Sequence, residues 1–423
     1  MAHVEEINDI KDLVPYRLLW NSLLLQTCGA SFFHSFDWLE TYWHHFGHDQ
    51  KLRVLIVSVE GRPIGILPLV VRTESTRVGP VRVLTYPLHD WGTFYGPIGP
   101  NPTATLLAGL KHIRRTTRDW DLFDLRWVDR LGCDRGRTEQ AMRVAGFRPH
   151  KQPWAQAGVI ELDGTWEEYW KSRTKKWRHN VNRCQRRIAE RGKVSYVRYR
   201  PKGSAYGDDD PRWDLYDACT EVAQRSWQGS SNNGTTLSHK WISQYLRDTH
   251  AAAARNGSLD MNVLFVDGVP VAFMYNYHYR GTLYGLRMGF DPEMASVGPG
   301  TVLLRLILED SFRRGDRFCD LGTGSLCCKR YWLTSLAASY RYTHFPNTLG
   351  RAQLLRLKRW YTARVHGADH VASSRCAMNS AGSSIRKCKK LKTIEQSLGK
   401  RGGYTAPRTA GDSNACRLPC FAQ

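Results

Sequence analysis

The chain repeats itself, and the repeat limits what it can fold into. Residues 52–71, LRVLIVSVEGRPIGILPLVV, and 261–278, MNVLFVDGVPVAFMYNYH, each read as strand, tight turn, strand. Gly61 and Gly268 mark the turns, and Pro63 and Pro270 open the return strands, each pair 207 positions apart. The segments after each hairpin match in the same order. An apolar strand (81–86; 283–290) leads to a Gly/Pro-rich loop (96–103; 297–301), then a helix (104–115; 301–314) and a strand bearing aspartate (DLFDLRWV at 121–128; RFCDLG at 317–322). A unit of this size occurring twice predicts two similar α/β domains, not a short-period solenoid. One copy of such a pair can keep the chemistry while the other changes role.

A length of 423 residues accommodates two or three domains, each with its own core. A hydrophobic content of 42% excludes a wholly disordered chain. The opening MAHVEEINDI lacks the basic and apolar regions of a secretory signal. No apolar run nears the ~20 residues that span a bilayer, so no transmembrane segment is expected. Eleven cysteines, an odd number with no CxxC, suit neither a disulfide framework nor a zinc site and point to reduced thiols in the cytoplasm.

The net charge of +22 is unevenly placed. Residues 346–423 hold 15 Lys/Arg against 3 Asp/Glu. Within the rest, 171–193 (KSRTKKWRHNVNRCQRRIAERGK) has ten Lys/Arg and one acid, Glu190. Thr165 and Glu168 form a capping-box start for the helical structure leading into it. Trp166, Trp170, Trp177, Val181, Cys184 and Ile188 then make one apolar stripe, which leaves the basic residues towards solvent. Such a face is either simply solvated or a collar that attracts a polyanion or an acyl-CoA phosphate. No helix-turn-helix or zinc-finger pattern accompanies it, which argues against nucleic acid. A further helix is expected after Pro346. Beyond about Gly367 the composition cannot bury enough apolar surface to offset ordering entropy, and disorder is expected.

Five segments fall in an order that resembles a known group: FFHSFDWLETYW (32–43), RSWQGSSNNGTTL (225–237), DGVPVAF (267–273), SVGPGTVLL (296–304) and CDLGTGSLCCKRYW (319–332). The resemblance is to GNAT-type acyltransferases of the FemAB-like/CelD-like (BioF2-like) group, and it covers roughly residues 30–340. It implies an α/β (α+β) fold of two tandem GNAT-like domains, each a mixed, mostly antiparallel twisted sheet flanked by helices. The expected organisation is a degenerate N-terminal domain over 1–155 and an acyltransferase domain over 156–345. A helix (346–367) and a basic, low-complexity tail (368–423) complete it.

Physical chemistry allows the SVGPGT segment to be an anion site. Glycines at a helix start leave N–H groups facing outwards, with the helix dipole adding favourable potential. From these residues alone an ordinary Pro-Gly helix start is the preferred reading, and only the strand before it shifts the balance. The resemblance implies acyl-CoA as co-substrate, held by Met288, Gly289 and Phe290 of the preceding strand and by Val297, Gly298, Gly300 and Thr301. The prolines of the counterpart loop, YGPIGPNP, remove donors there. Catalysis then falls to the segment after the last strand. Asp320 would orient or deprotonate an amine, Lys329 would hold an anion or developing charge, and Tyr331 would protonate the departing thiolate. Each also reads as a structural residue: Asp320 as a turn cap, Lys329 as a solvated side chain.

The acceptor implied is an amino sugar or other small amine, possibly a glycan, in exopolysaccharide or envelope synthesis. Two alternatives stand beside it: a FemAB-like aminoacyltransferase that takes its donor from charged tRNA, and a non-catalytic assembly partner. No metal is expected. His44, His45 and His48 lack an evident third ligand and read as a polar helix face. Cys327 and Cys328 lack a partner histidine and read as packing.

Overall fold

Turn chemistry sets the hairpins. In the computed structural model, Glu60–Gly61 and Asp267–Gly268 both have positive φ at their two central residues (51° and 76°; 49° and 80°). This is the two-residue turn whose twist matches that of paired strands. Residues 2–88, 91–129, 132–231, 236–324, 326–362 and 364 are described by the structure.

The described strands form a single sheet. They are β1 (Ala2–Ile7), β2 (Lys51–Val59), β3 (Arg62–Thr76), β4 (Gly79–Thr85), β5 (Leu122–Val128), β6 (His150–Glu161), β7 (Val194–Tyr199), β8 (Leu259–Val266), β9 (Val269–Tyr279), β10 (Thr282–Phe290), β11 (Phe318–Asp320) and β12 (Ser335–His344). Their spatial order is β1-β2-β3-β4-β5-β12-β6-β11-β10-β9-β8-β7. The repeat is visible in this order. Hairpin β2–β3 corresponds to β8–β9, and β4 to β10. Helices Pro102–Arg115 and Pro299–Arg314 correspond, as do β5 and β11. In each half the strand before the helix pairs in parallel with the strand after it, β4 with β5 and β10 with β11. Every other ladder is antiparallel. The chain is thus a mixed α/β protein with a large, mostly antiparallel sheet flanked by helices.

The halves exchange their last strands. The strand after β5 in sequence is β6, yet it pairs with β11 of the other half. The strand after β11 is β12, and it pairs with β5. β6 and β12 also pair with each other along nine residues, which closes the sheet across the middle. Residues 155 and 156 therefore lie inside a shared strand.

Each crossover helix buries an apolar face on its own half. Leu106, Leu110 and Ile113 pack with Leu55 and Leu67, and Leu303, Ile307 and Leu308 pack with Leu264, Leu283 and Cys319. The FFHSFDW segment reaches across. Phe33 and Phe32 meet Tyr277 edge-on, with ring centroids 5.6 and 4.8 Å away. The basic stretch is helical but broken. Helix Trp166–Ser172 starts at the Thr165/Glu168 capping box, and helix Lys175–Ala189 restarts with Thr174 as its N-cap. The apolar stripe survives because the seven-residue step from Trp170 to Trp177 spans the break. Trp177, Val181 and Ile188 are buried. Residues 350–362 are helical. The expectation of disorder over 368–423 lies outside the described residues. No described helix is long and apolar enough to cross a membrane, and the seven cysteines among the described residues are unbridged.

Candidate active site

The parallel pair β10–β11 is short, and the site begins where it ends. The two strands pair only through Thr282–Tyr284 and Phe318–Asp320. Beyond that β11 stops, whereas β10 continues to Phe290 with an irregularity between Gly285 and Arg287. Two glycines make the fork possible. A Cβ on Gly285 would lie 2.7 Å from the Asp320 carbonyl oxygen, and one on Gly322 (φ 72°) 2.6 Å from the Gly285 carbonyl oxygen. The backbones pass too closely here for any side chain.

Asp320 sits in this fork, 6% exposed. Its carboxylate accepts the Gly322 N–H at 2.6 Å. Burial pushes its pKa up to about 6, with the Gly322 hydrogen bond and the Lys329 charge acting in the opposite direction. Lys329 donates to the carbonyl oxygens of Gly322 (2.8 Å) and Thr323 (2.7 Å). Burial lowers its pKa to about 8, and Asp320 resists that shift. The structure therefore brings together a carboxyl and an ammonium that both titrate nearer neutrality than usual, the arrangement that acid–base chemistry requires. Tyr331 follows two residues after Lys329 and packs on helix Lys175–Ala189. Its ring stacks on Trp177 (4.6 Å between centroids, 16°), and its hydroxyl accepts from Arg330 at 2.5 Å.

Two neighbours were missed from the sequence. Tyr284 is the register partner of Asp320 on β10. It is buried, and its hydroxyl donates to the Ala30 carbonyl at 3.3 Å, which links the fork to the segment before FFHSFDW. Arg287 lies over the Trp91 ring at 4.7 Å, and its charge contributes to the lowering at Lys329. Both flank Gly285 in TLYGLR, and a glycine inside an apolar strand was the available signal of a close approach.

The predicted donor-site residues lie along β10 and the helix start after it. The Met288 carbonyl accepts weakly from Trp227 Nε1 (3.3 Å) and Gln228 Nε2 (3.4 Å). Gly289 faces the same segment, where a Cβ would meet Phe273 at 2.7 Å and Ser226 Oγ at 3.0 Å. RSWQG thus docks on the end of β10, with Ser226 and Gln228 buried. Phe290 packs at the edge of the core that contains buried Val297. Gly298 (φ 67°) caps helix Pro299–Arg314, and a Cβ there would lie 2.8 Å from Cys184 Sγ. Its own N–H bonds to Ala295, and its carbonyl receives the N–H groups of Thr301 and Val302. Pro299 has no N–H, so Gly300 holds the amide of this turn that is not spent within it. Thr301 is 6% exposed.

The first half is built differently at both matching places. Asp124 is the third residue of β5, as Asp320 is of β11, and is fully buried. It is surrounded by cations and donors: Arg341, Arg126 (2.9 Å) and Thr343 Oγ1 (2.6 Å). The counterpart loop has its backbone occupied. Ile98 exchanges two 2.8 Å hydrogen bonds with Ile66, and the Gly99 N–H donates to Thr27 Oγ1 at 2.8 Å.

Residues 175–331 match the family model of the acetyltransferase (GNAT) domain. This GNAT-type stretch contains Asp320, Lys329, Tyr331 and the whole of β10 and SVGPGT. No curated protein sequence matches the chain. The crystal structure of FemX superposes with a TM-score of 0.55 at 11% identity, covering 82% of this chain and 98% of that one. At that identity the likeness is one of fold, and it extends well beyond the GNAT-type stretch. L-PGS from Bacillus licheniformis gives 0.47 at 13% identity over 76% of this chain and 96% of that one. A tandem GNAT protein from the clavulanic acid biosynthesis pathway gives 0.43 at 12% identity over 81% and 98%.

Proposed function

We propose that the chain is a cytoplasmic N-acyltransferase that moves an acyl group, acetyl being the simplest, from acyl-CoA to the amine of a small molecule or glycan. The observation that carries this reading is the buried Asp320, which has no cationic hydrogen-bond partner among the described residues, at the point where β10 and β11 separate. The stretch of β10 beyond the fork, which β11 no longer pairs, is the proposed seat of the pantetheine arm. The Gly300 amide and the Thr301 hydroxyl at the start of helix Pro299–Arg314 are the proposed contacts of the diphosphate. Asp320 takes a proton from the acceptor amine, whose nitrogen attacks the thioester carbonyl carbon. The C–S bond then breaks, and the thiolate leaves with a proton. Tyr331 is proposed as the donor of that proton, because its oxygen accepts from Arg330 and its own hydrogen stays available. Lys329 fixes the turn after Asp320 through two carbonyl contacts and places positive charge beside the reacting groups. The first half contributes the acceptor side through Ala30, whose carbonyl accepts from Tyr284 of β10.

A second reading rests on helix Lys175–Ala189, where Lys175, Lys176, His179, Arg186 and Arg187 are all exposed. That face favours an aminoacyl donor carried on tRNA. Thermal shift distinguishes the two, since a ligand that binds the folded state stabilises it by RT ln(1 + [L]/Kd). Stabilisation by acyl-CoA, and not by charged tRNA, supports the first reading. Stabilisation by charged tRNA alone, falling steeply as salt rises, supports the second.

A further inference from the structure

The helix over residues 350–362 has an unusual outward face. Leu354, Leu357, Trp360 and Tyr361 are 55%, 57%, 51% and 64% exposed, whereas Ala352 and Leu355 are buried. At 100° per residue, Leu354, Leu357 and Tyr361 fall within a 60° sector roughly opposite the buried pair, and Trp360 lies 60° beyond Leu357. Basic residues border the sector on both sides. Lys358 and Arg351 lie beyond one edge, Arg356 lies beyond Trp360, and Arg364 is placed over the Trp360 ring at 4.0 Å. Residues 346–364 contain no acid.

An outward stripe of four large apolar side chains costs free energy in water, and a row of cations beside it would repel a second copy of the same helix. A surface that is apolar below and negatively charged above satisfies both features. We propose that this helix lies on an anionic lipid surface, with Leu354, Leu357, Trp360 and Tyr361 in the headgroup–acyl boundary and the basic residues among the lipid phosphates. It is too short and too charged to cross the bilayer. Its role is to hold the enzyme against the membrane.

The full-length protein is mixed with phosphatidylcholine vesicles, with and without phosphatidylglycerol, and sedimented. Binding to the anionic vesicles only is expected. Leu354→Ser/Leu357→Ser should weaken it at least about tenfold, since each leucine loses its buried area. Arg356→Gln/Lys358→Gln should weaken it by roughly fivefold per charge removed. These side chains face solvent, so the thermal midpoint should stay unchanged, and a variant that fails this check is replaced by Trp360→Ser. Three results would each overturn the proposal. One is absence of binding to either vesicle. Another is binding that needs phosphatidylglycerol but ignores the leucine substitutions, which would leave the basic segment after residue 364 as the binder. The last is dimerisation through this face, lost in the leucine variant without vesicle binding.

Discussion

Burial does not by itself decide the state of an aspartate in this chain. Asp260 and Asp320 are both buried, yet they are displaced in opposite directions. Burial raises Asp260 too, but Arg198 (2.9 Å), Arg200 (2.8 Å) and two asparagine amides outweigh it and hold it at about 2. Asp320 has one backbone N–H and a lysine at a distance, and it stays near 6. The pH consequences are opposite. Asp320 binds its proton more tightly in the folded state, so its contribution is present below about pH 4 and lost as pH rises through 6. Above that it is a constant penalty of roughly 3 kcal/mol. Asp260 contributes stability above about pH 4 that is lost as pH falls towards 2. Asp320→Asn keeps the acceptor for Gly322 and should therefore raise the thermal midpoint at pH 8 and leave it unchanged at pH 4. A variant less stable at pH 8 would mean that the carboxylate is not strained there. The sequence exposed Asp320 because a Gly-Thr-Gly turn comes directly after its strand. It concealed Tyr284 and Arg287, whose importance depends on strands parting at Gly285.

At the scale of elements, the fork depends on glycine at two positions. Gly322→Ala should force a Cβ against the Gly285 carbonyl while also holding alanine at φ 72°. A loss of roughly 1–3 kcal/mol in urea unfolding is expected, with acyl transfer reduced as the fork opens. Wild-type stability and activity would show that the strands can part without cost. Gly298→Ala should destabilise similarly, because Cys184 Sγ occupies the space that a Cβ would enter. The hairpins, the crossover helices and the capping box at Thr165 were legible because each is set by local turn or capping chemistry. The break at Arg173–Thr174 was not. A seven-residue apolar step fits one long helix and two short ones equally well, and the Thr174 cap lacks a glutamate to announce it.

For the whole molecule, the sequence repeat disclosed two halves but not the exchange of β6 and β12. Those strands pair with partners some 160 to 220 positions away, and nothing in their alternation distinguishes one neighbour from another. With the last strand of each half in the other's sheet, residues 2–349 should unfold in a single cooperative calorimetric transition, with calorimetric and van't Hoff enthalpies equal. Two separate transitions would mean that the halves hold together independently. The exchange also explains the division of labour. β12 brings Arg341 and Thr343 to Asp124 and makes that carboxylate structural. β6 instead places Val159 opposite Asp320, which has no salt-bridge partner among the described residues. The most direct test compares Asp320→Asn with Asp124→Asn in a steady-state acyl-transfer assay that reads CoA thiol release across pH. Asp320→Asn should lose ~10²–10⁴-fold in kcat, together with the activity rise near pH 6, while acyl-CoA affinity is kept. Asp124→Asn should lower stability by roughly 3–5 kcal/mol and leave kcat of the folded fraction near normal. Equal kcat losses in the two variants, or a kcat in Asp320→Asn within a few-fold of wild type, would contradict the assignment of chemistry to the second half.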